Sequence, residues 1–437
     1  MNKYVTYLLA LIFPISLFSQ APLSLEEAID FGLQNNIDFQ NIKLDAAIRK
    51  EFAFEVMTEG FPKINVNLDY AYAFEQQVSI VPAGVFGPNE QEFIFAQPQT
   101  ANLTADVSQL LFDARYIYGL RARAALIASA DFQVEQARIN TTENITKAYY
   151  GALISQQAYT LLKQNEEVLA KLLKETEATY NEGLIDELSL NRLELNMSNL
   201  ETQIQKQENQ SENALLNLKY VIGMPNDSTI VLSENFDEMM ENFAFDVSAD
   251  ANVEDRIESK LLNKQAELKS YDIKQARSAY FPSLYAFAFY GTLAQRPDFS
   301  FFNTNLRWFD FGSVGFNVRI PIFDGLKAKS QVQQRKLELE KIENTKENLK
   351  QIVDLQVTST QNNLANAISE YQTQEENLAL ANKILDKTIV MFNEGVGSSF
   401  ELSQAQQEYT STMINYTQSL YNLLVAKLEV NKALGTL

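Results

Sequence analysis

Two hydrophobic periods alternate along this chain, and the alternation runs twice. From Leu25, apolar residues recur at helical spacing, with Leu25, Ala28, Ile29, Leu33 and Ile37 on one face. Ser24 stands before them as an N-cap, and Glu26 and Glu27 occupy the first turn, where the helix dipole favours anions. This predicts a helix over 22–58, stopped by Gly60, Phe61 and Pro62. Over 63–75 the period becomes two: Ile64, Val66, Leu68, Tyr70, Tyr72 and Phe74 alternate with Asn65, Asn67, Asp69, Ala71, Ala73 and Glu75. Beyond a loop bearing Pro and Gly, a weaker alternation over 100–112 sets Leu103, Ala105 and Val107 against Asn102, Thr104, Asp106 and Ser108. Asp113 then reads as the N-cap of a helix running to a turn at 180–186, roughly 100 Å at the α-helical rise. A return helix reaches Ile222 before Gly223, Met224 and Pro225 end it.

Residues 223–252 have a different texture and read as a linker, with the sequence STIVL as a short strand. The plan then repeats. A helix over 253–280 meets Phe281 and Pro282, echoing Phe61 and Pro62. Alternation over 283–293 places Tyr285, Phe287 and Phe289 on one side. A loop rich in aromatics, Trp308 among them, leads to 313–323, where Val314, Phe316, Val318, Ile320 and Ile322 oppose Gly315, Asn317, Arg319 and Pro321. Asp324 caps the next long helix, which ends in a second turn at 392–399. Leu364, Tyr371, Leu378, Leu385 and Phe392 keep seven-residue spacing before that turn, and Leu402, Tyr409, Tyr416, Leu423 and Val430 keep it after. Such spacing belongs to paired, supercoiled helices. The halves, 20–222 and 253–437, are thus read as an internal duplication.

Composition narrows what such an object does. The chain has 437 residues, a net charge of −20, no Cys and no His. The acidic balance leaves no basic patch for nucleic acid. Thiol, disulfide and imidazole chemistry are excluded, with almost all zinc or haem ligation, so no metal or cofactor is expected. A carboxylate enzyme such as a glycosidase needs two acids facing across a cleft, and these acids are spread along helices; no catalytic residue is expected. The first 19 residues, one Lys followed by an apolar run and then Ser19, read as a secretory signal peptide rather than a membrane span. No later stretch offers about 18 consecutive apolar residues, so membrane insertion must use β-structure.

The four alternating segments have the length of tilted transmembrane strands. Four strands do not close a barrel, and open edges are forbidden in hydrocarbon, so copies must join, each giving an arc. Asn65, Asn67, Asp69, Asn102, Thr104, Asn317 and Arg319 would line a wet lumen, while the aromatics meet lipid or its interfaces, with Trp308 either an interfacial anchor or a loop-packing residue. A soluble sandwich with an aromatic core is the plainer alternative, but no element is left over to cover it.

The opening LSLEEAIDFGLQNN, the doubled Phe-Pro, the corners LFDAR and IFDGLKAKS, the turns NEGL and NEGV, and the ending VNKALGTL together resemble the TolC-like outer-membrane efflux protein family, over essentially the whole mature length. The resemblance implies a mixed α and β membrane protein: a homotrimer whose four strands per protomer build a twelve-stranded barrel in the outer membrane, above a periplasmic tunnel of long coiled-coil helices with an equatorial region at mid-height. It implies a passive exit duct for efflux or type I secretion, served by a periplasmic adaptor and an inner-membrane pump or secretion ATPase. The bland alternative in function is a periplasmic coiled-coil tether without a pore. On this resemblance Asn181, Glu182, Gly183 and Leu184, with Asn393, Glu394, Gly395 and Val396, form adaptor-docking tips. Gly183 and Gly395 equally suit a plain left-handed helix end. Glu401 matches the first of two acidic positions that ring the tunnel entrance in relatives; the second falls on Gln404, which is uncharged. Asp113 and Asp324 are read as N-caps at the barrel–tunnel corner, not as acids for chemistry.

Overall fold

Strict alternation makes a sheet with two unlike faces, and the chain builds one. The computed structural model describes residues 22–234 and 252–437; the expected signal segment over 1–19 and linker residues 235–251 lie outside the described residues. Strands β1 (Lys63–Tyr72), β4 (Gln99–Asp113), β5 (Ser283–Arg296) and β6 (Phe309–Arg319) form one antiparallel sheet in the order β1-β4-β5-β6. A small hairpin in the loop between β1 and β4, β2 (Ser79–Val81) with β3 (Gln91–Phe93), has no counterpart in the expected pattern. A bulge between Leu110 and Phe112 shifts the register of β4 on β5 near its end.

Strand boundaries move: β4 gains a residue at each end and β5 runs on to Arg296 rather than 293. The first strand stops at Tyr72 rather than at 75, and the last covers Phe309–Arg319 rather than 313–323. Ile320 and Ile322 keep the alternating pattern but leave the ladder, because Pro321 between them has no N–H to donate. Trp308 resolves as a loop-packing residue. It tilts against Phe301 at 6.1 Å, and the two cover Ala101 and Ala294 at one end of the sheet.

The helices are α1 (Leu25–Asn35), α2 (Ile37–Thr58), α3 (Ala114–Asn181), α4 (Glu187–Ile222), α5 (Ile257–Arg277, followed by a 3-10 turn at Ser278–Tyr280), α6 (Lys327–Asn393) and α7 (Ser399–Leu434). The single helix expected over 22–58 is broken at Asn36, whose backbone is extended, at ψ 121°. The break is held by the Asn36 side chain: its Nδ2 donates to the Val221 carbonyl at 2.7 Å, and its Oδ1 accepts the Phe39 N–H at 2.8 Å. STIVL forms no strand. It makes one parallel bridge, Leu232 with Leu23, and Leu23 donates its N–H to the Val231 carbonyl at 2.7 Å.

The chain divides into two units. One comprises Asp45–Gln133 and Glu258–Asn348 and holds the sheet; the other, made of the described residues within Met1–Leu44, Val134–Ile257 and Leu349–Leu437, is helical. In the helical unit all ten seven-spaced residues pack inward. Leu364, Tyr371, Leu423 and Val430 join one buried cluster with Ile154 and Leu420, and Tyr416 lies against it. Leu385 and Leu402 join a second with Leu162, Leu193 and Met413, flanked by Leu378, Phe392 and Tyr409. No described helix is long and apolar enough to cross a membrane.

An ion network ties α3 to α7. Lys147 Nζ lies 2.9 Å from both Glu143 and Glu429, and Lys432 pairs with Glu143 as well. Burial raises the Glu143 carboxyl, but the hydrogen bonds and charges of Lys432 and Lys147 outweigh it and hold the group below its usual 4.5. Its stabilisation is therefore full above that value and is lost as pH falls through the depressed folded value. Glu143→Gln should cost about 1–3 kcal/mol at neutral pH. The gap to the parent protein should close as pH falls through the depressed folded value in chemical denaturation of the detergent-solubilised protein. A gap constant with pH would mean the network does not act through this carboxylate.

Candidate functional site

Residues directly opposite in antiparallel register point to the same side of a sheet. The register therefore assigns every strand residue to a face. Asn65 pairs with Asp106, Asn67 with Thr104 and Asp69 with Asn102. Through β5 the same face continues to Asn317 and Arg319, opposite Tyr285 and Ser283. The seven polar strand residues singled out from the sequence thus share one face. Asp106 organises it: the Asn65 amide donates to its Oδ2 and the Asn67 amide to its Oδ1, each at 3.0 Å. The other face carries Ile64, Val66 and Leu68 of β1, and Val314, Phe316 and Val318 of β6. These are exposed although apolar: Leu68 at 71% and Val314 at 81%.

One part of the expectation is overturned. Tyr285, Phe287 and Phe289 were assigned to the apolar side with the other aromatics. The register puts all three on the polar face, since Phe289 pairs with Asp106, Phe287 with Ser108 and Tyr285 with Asn317. Alternation tells which residues of a strand stay together; only pairing with a neighbour tells which face they take.

At the corners between sheet and long helices the two aspartates differ. Asp113 is the last residue of β4; its Oδ1 accepts the Arg115 N–H at 2.7 Å and its Oδ2 meets the Arg115 guanidinium at 2.9 Å. Asp324 stands three residues before α6. Gly325 and Leu326 intervene with positive φ of 68° and 69°, and the Asp324 carboxylate accepts the Ala328 N–H at 2.7 Å. The expected one-to-one correspondence of the two corners does not hold in backbone geometry.

The hairpin tips are alike in construction. Gly183 takes φ +76° and donates to the Tyr180 carbonyl at 2.8 Å, while Leu184 donates to Thr179. Gly395 takes φ +74° and donates to Phe392, while Val396 donates to Met391. Each glycine closes its helix in the left-handed conformation. Leu184 and Val396 then project at 72% and 73% exposure, two equivalent apolar side chains with no cover from their own hairpins. Asn181 ends α3 and Asn393 ends α6; Glu182 and Glu394 donate their N–H groups to Ala178 and Val390.

After each tip a helix starts on a cap. Asp186 accepts the Ser189 N–H, and hydrogen bonds from the Ser189 side chain and backbone keep its carboxyl low. Ser398 and Glu401 form a capping box: Glu401 Oε2 accepts the Ser398 N–H at 3.0 Å and Ser398 Oγ accepts the Glu401 N–H at 3.2 Å. The Ser398 hydrogen bonds hold the Glu401 carboxyl below its usual value, so it stays ionised while fully exposed. Its position is thus explained locally by helix capping.

Sequence reasoning missed a polar seam that α7 makes with α4 and, at Asn165, with α3. Arg192 Nη1 donates to Ser399 Oγ at 3.3 Å and its guanidinium lies 5.6 Å over the Phe400 ring. The Ser189 hydroxyl donates to Ser399 Oγ at 3.1 Å, the Ser403 hydroxyl to Asn196 Oδ1 at 2.8 Å, and the Gln406 amide to Asn165 Oδ1 at 2.9 Å. The signal was present as helical spacing, with Ser189, Arg192 and Asn196 on one face of α4 and Ser399, Ser403 and Gln406 on one face of α7.

The geometry is that of a mixed α and β protein: an antiparallel sheet with one polar-bearing and one mainly apolar face, and long paired helices with twin capped tips. Comparison with known proteins agrees. Residues 261–436 match the model of the family described as outer membrane efflux protein. Outer membrane protein TolC of Escherichia coli is 23% identical over 98% of this chain and 86% of its own length. The proteases secretion protein PrtF of Dickeya chrysanthemi is 21% identical over 65% of this chain and 62% of its own. Among solved structures, the Campylobacter jejuni CmeC outer membrane channel superposes with a TM-score of 0.73 at 15% identity, covering 94% of this chain and 85% of that one. The chain thus matches the outer membrane efflux protein model over its second half and is similar in sequence to TolC, and in fold to the CmeC channel, over nearly its whole length.

Proposed function

We propose that this protein is the outer-membrane exit duct of a tripartite efflux or type I secretion system. Three copies join edge to edge into a twelve-stranded barrel, with the Asn65–Asp106–Asn317 face turned to the lumen and the Ile64–Leu68 face to lipid. The long hairpins form the periplasmic tunnel. Cargo passes outward passively, handed on by a periplasmic adaptor from an inner-membrane pump or secretion ATPase. One observation carries this reading: among the described residues the sheet has only four strands, the outer edges of β1 and β6 have no partner strand, and the face bearing Ile64, Val66, Leu68, Val314 and Phe316 is apolar and exposed there. Unpaired edges are untenable in hydrocarbon and too costly to leave open in water, so further copies of the same sheet are the natural partners. The repeated order of helix, strand pair and helical hairpin in each half supports an internal duplication. The PrtF match favours secretion systems as one setting, and TolC is the relative with the wider coverage.

The tips Asn181–Leu184 and Asn393–Val396 are where the adaptor docks. Substituting the glycines would strain the turns themselves, so the chemistry is better altered beside them. The double variant Leu184→Asp, Val396→Asp should lose co-purification with the adaptor from membranes by about tenfold or more while channels still form in planar bilayers. Equal recovery of adaptor would remove docking from these residues. A protein that inserts no conducting channel at all would favour the tether reading.

Glu401 adds charge at the entrance. Glu401→Gln keeps the acceptor that the capping box needs and removes only the charge. Cation-over-anion selectivity in single-channel recordings should fall by about twofold. Unchanged selectivity would leave Glu401 a helix cap and nothing more.

A further inference from the structure

The polar face is uneven: beside Ser283, Ser313, Asn317 and Arg319, its β5 and β6 half also carries a cluster of aromatic rings. Its β1 and β4 side carries Asn65, Asn67, Asp69, Asn102, Thr104 and Asp106; its β5 and β6 side carries Tyr285, Phe287, Phe289, Leu293, Phe309 and Phe311. Two of these rings have a local structural reason. Gly315 lies opposite Phe287, so close that a Cβ there would sit 2.9 Å from the Phe287 ring, and a Cβ on Gly291 would sit 2.8 Å from the Phe311 ring. Large rings cover glycines in a neighbouring strand and shield the exposed ladder. Phe289 has no such excuse. It stands in a row between Asp106 and Ser313, and its ring centroid is 6.2 Å from that of Phe311.

Phe289 cannot be reassigned to lipid, because β5 is flanked on both sides. Its register with β4 and its register with β6 both place the apolar, exposed residues Val314 and Phe316 on the opposite face. Phe289 is half-buried and Phe311 is 38% exposed, so the pair presents open aromatic surface beside a carboxylate. Charge decides what suits it. Asp106 is directly opposite Phe289, with both its oxygens oriented by amide donors, and Asp69 lies further along the same face. The cations on this face are placed elsewhere. Arg319 is opposite Ser283, about 20 Å along the strand from Phe289. Lys63 is engaged by Glu59 at 2.9 Å. A ring that is flat and carries positive charge meets both requirements at once: it stacks on Phe289 and Phe311, gains the attraction of a cation for an aromatic face, and leaves its charge beside Asp106.

We infer that the lumen wall carries a binding site for planar, cationic aromatic cargo, formed by Phe289 and Phe311 with Asp106. This rests on the duct reading, in which this face lines the lumen. The site makes the duct a wall with an affinity, so that such molecules step along it rather than crossing a uniformly polar bore.

The test is block of open-channel current in planar bilayers by rhodamine 6G, with anionic fluorescein as the comparison. Rhodamine 6G should block saturably and fluorescein should not. Phe289→Leu, which keeps apolar volume but loses the ring, should raise the half-blocking concentration about fivefold, and Phe289→Trp should leave it equal or lower. Asp106→Asn should raise it about threefold. Equal block of the parent protein and Phe289→Leu, or equal block by fluorescein, would overturn the site. Because the chain has no cysteine, the lumen assignment is checked separately with a cationic methanethiosulfonate on Ser313→Cys and Val314→Cys. Loss of current at position 313 and not at 314 upholds the lumen face, whatever the dye shows. No effect at 313 would overturn the duct reading on which the site depends.

Discussion

Leu68→Arg is expected to keep the protein out of the outer membrane, whereas Asn67→Arg, one residue earlier, is expected to insert and conduct. The two side chains are neighbours in sequence and point to opposite faces of β1. Leu68 is on the apolar face and 71% exposed. Arginine on the lipid side of a transmembrane strand costs about 2–4 kcal/mol at the bilayer midplane, and an assembly of identical copies incurs it in each one. Asn67 shares its face with Thr104 and donates to Asp106 Oδ1 at 3.0 Å. An arginine there keeps a carboxylate partner and remains in water. It should insert at near-parental yield and lower cation selectivity in bilayer recordings. Fractionation of outer membranes on a density gradient gives the yields. Parental yield of Leu68→Arg would mean the Ile64–Leu68 face does not meet lipid.

Gly223→Val should be the most damaging single change in the helical unit. Gly223 ends α4 with φ +74°. A Cβ there would lie 2.4 Å from the Asn35 carbonyl oxygen, 2.6 Å from its carbon and 3.0 Å from the Asn36 nitrogen. All three are backbone atoms at the α1–α2 break, which Asn36 itself pins by donating to Val221. Neither side can yield without losing that bond. The left-handed backbone costs about 1–2 kcal/mol for an L side chain, and overpacking adds about 1–3 kcal/mol. Gly183→Val supplies the control. It shares the positive φ, at +76°, but nothing lies within 4 Å of its Cβ position. It should lose only the backbone part, about 1–2 kcal/mol. Chemical denaturation in detergent measures both. Equal losses would show that the Asn35 contact relaxes freely.

Much of the architecture was legible. Ten seven-spaced residues from Leu364 to Val430 announced a packed helical seam, and all ten lie in or against buried clusters. Long helices ending at NEG turns follow from glycine's access to positive φ, and the four strands appear where alternation runs. The misses share a cause. Asn36, Asp324 and the STIVL segment were read locally, yet each is decided by a distant partner or an irregular backbone: Val221 for Asn36, two left-handed residues after Asp324, and Leu23 for Leu232. The Arg192–Ser399 contact joins residues 207 apart in sequence. A pattern within one helix reports which face is polar but not what that face meets.

The sequence by itself determined the element order, the two-faced strands, the supercoiled hairpins and the absence of thiol and imidazole chemistry, because these depend on residue type and period. Only the tertiary structure decided which face each strand shows. Period two is blind to a flip of the whole strand, and hydrogen-bonded register with both neighbours removes that freedom. For β5 this places Tyr285, Phe287 and Phe289 beside Asp106 and Asn317 rather than with Val314 and Phe316.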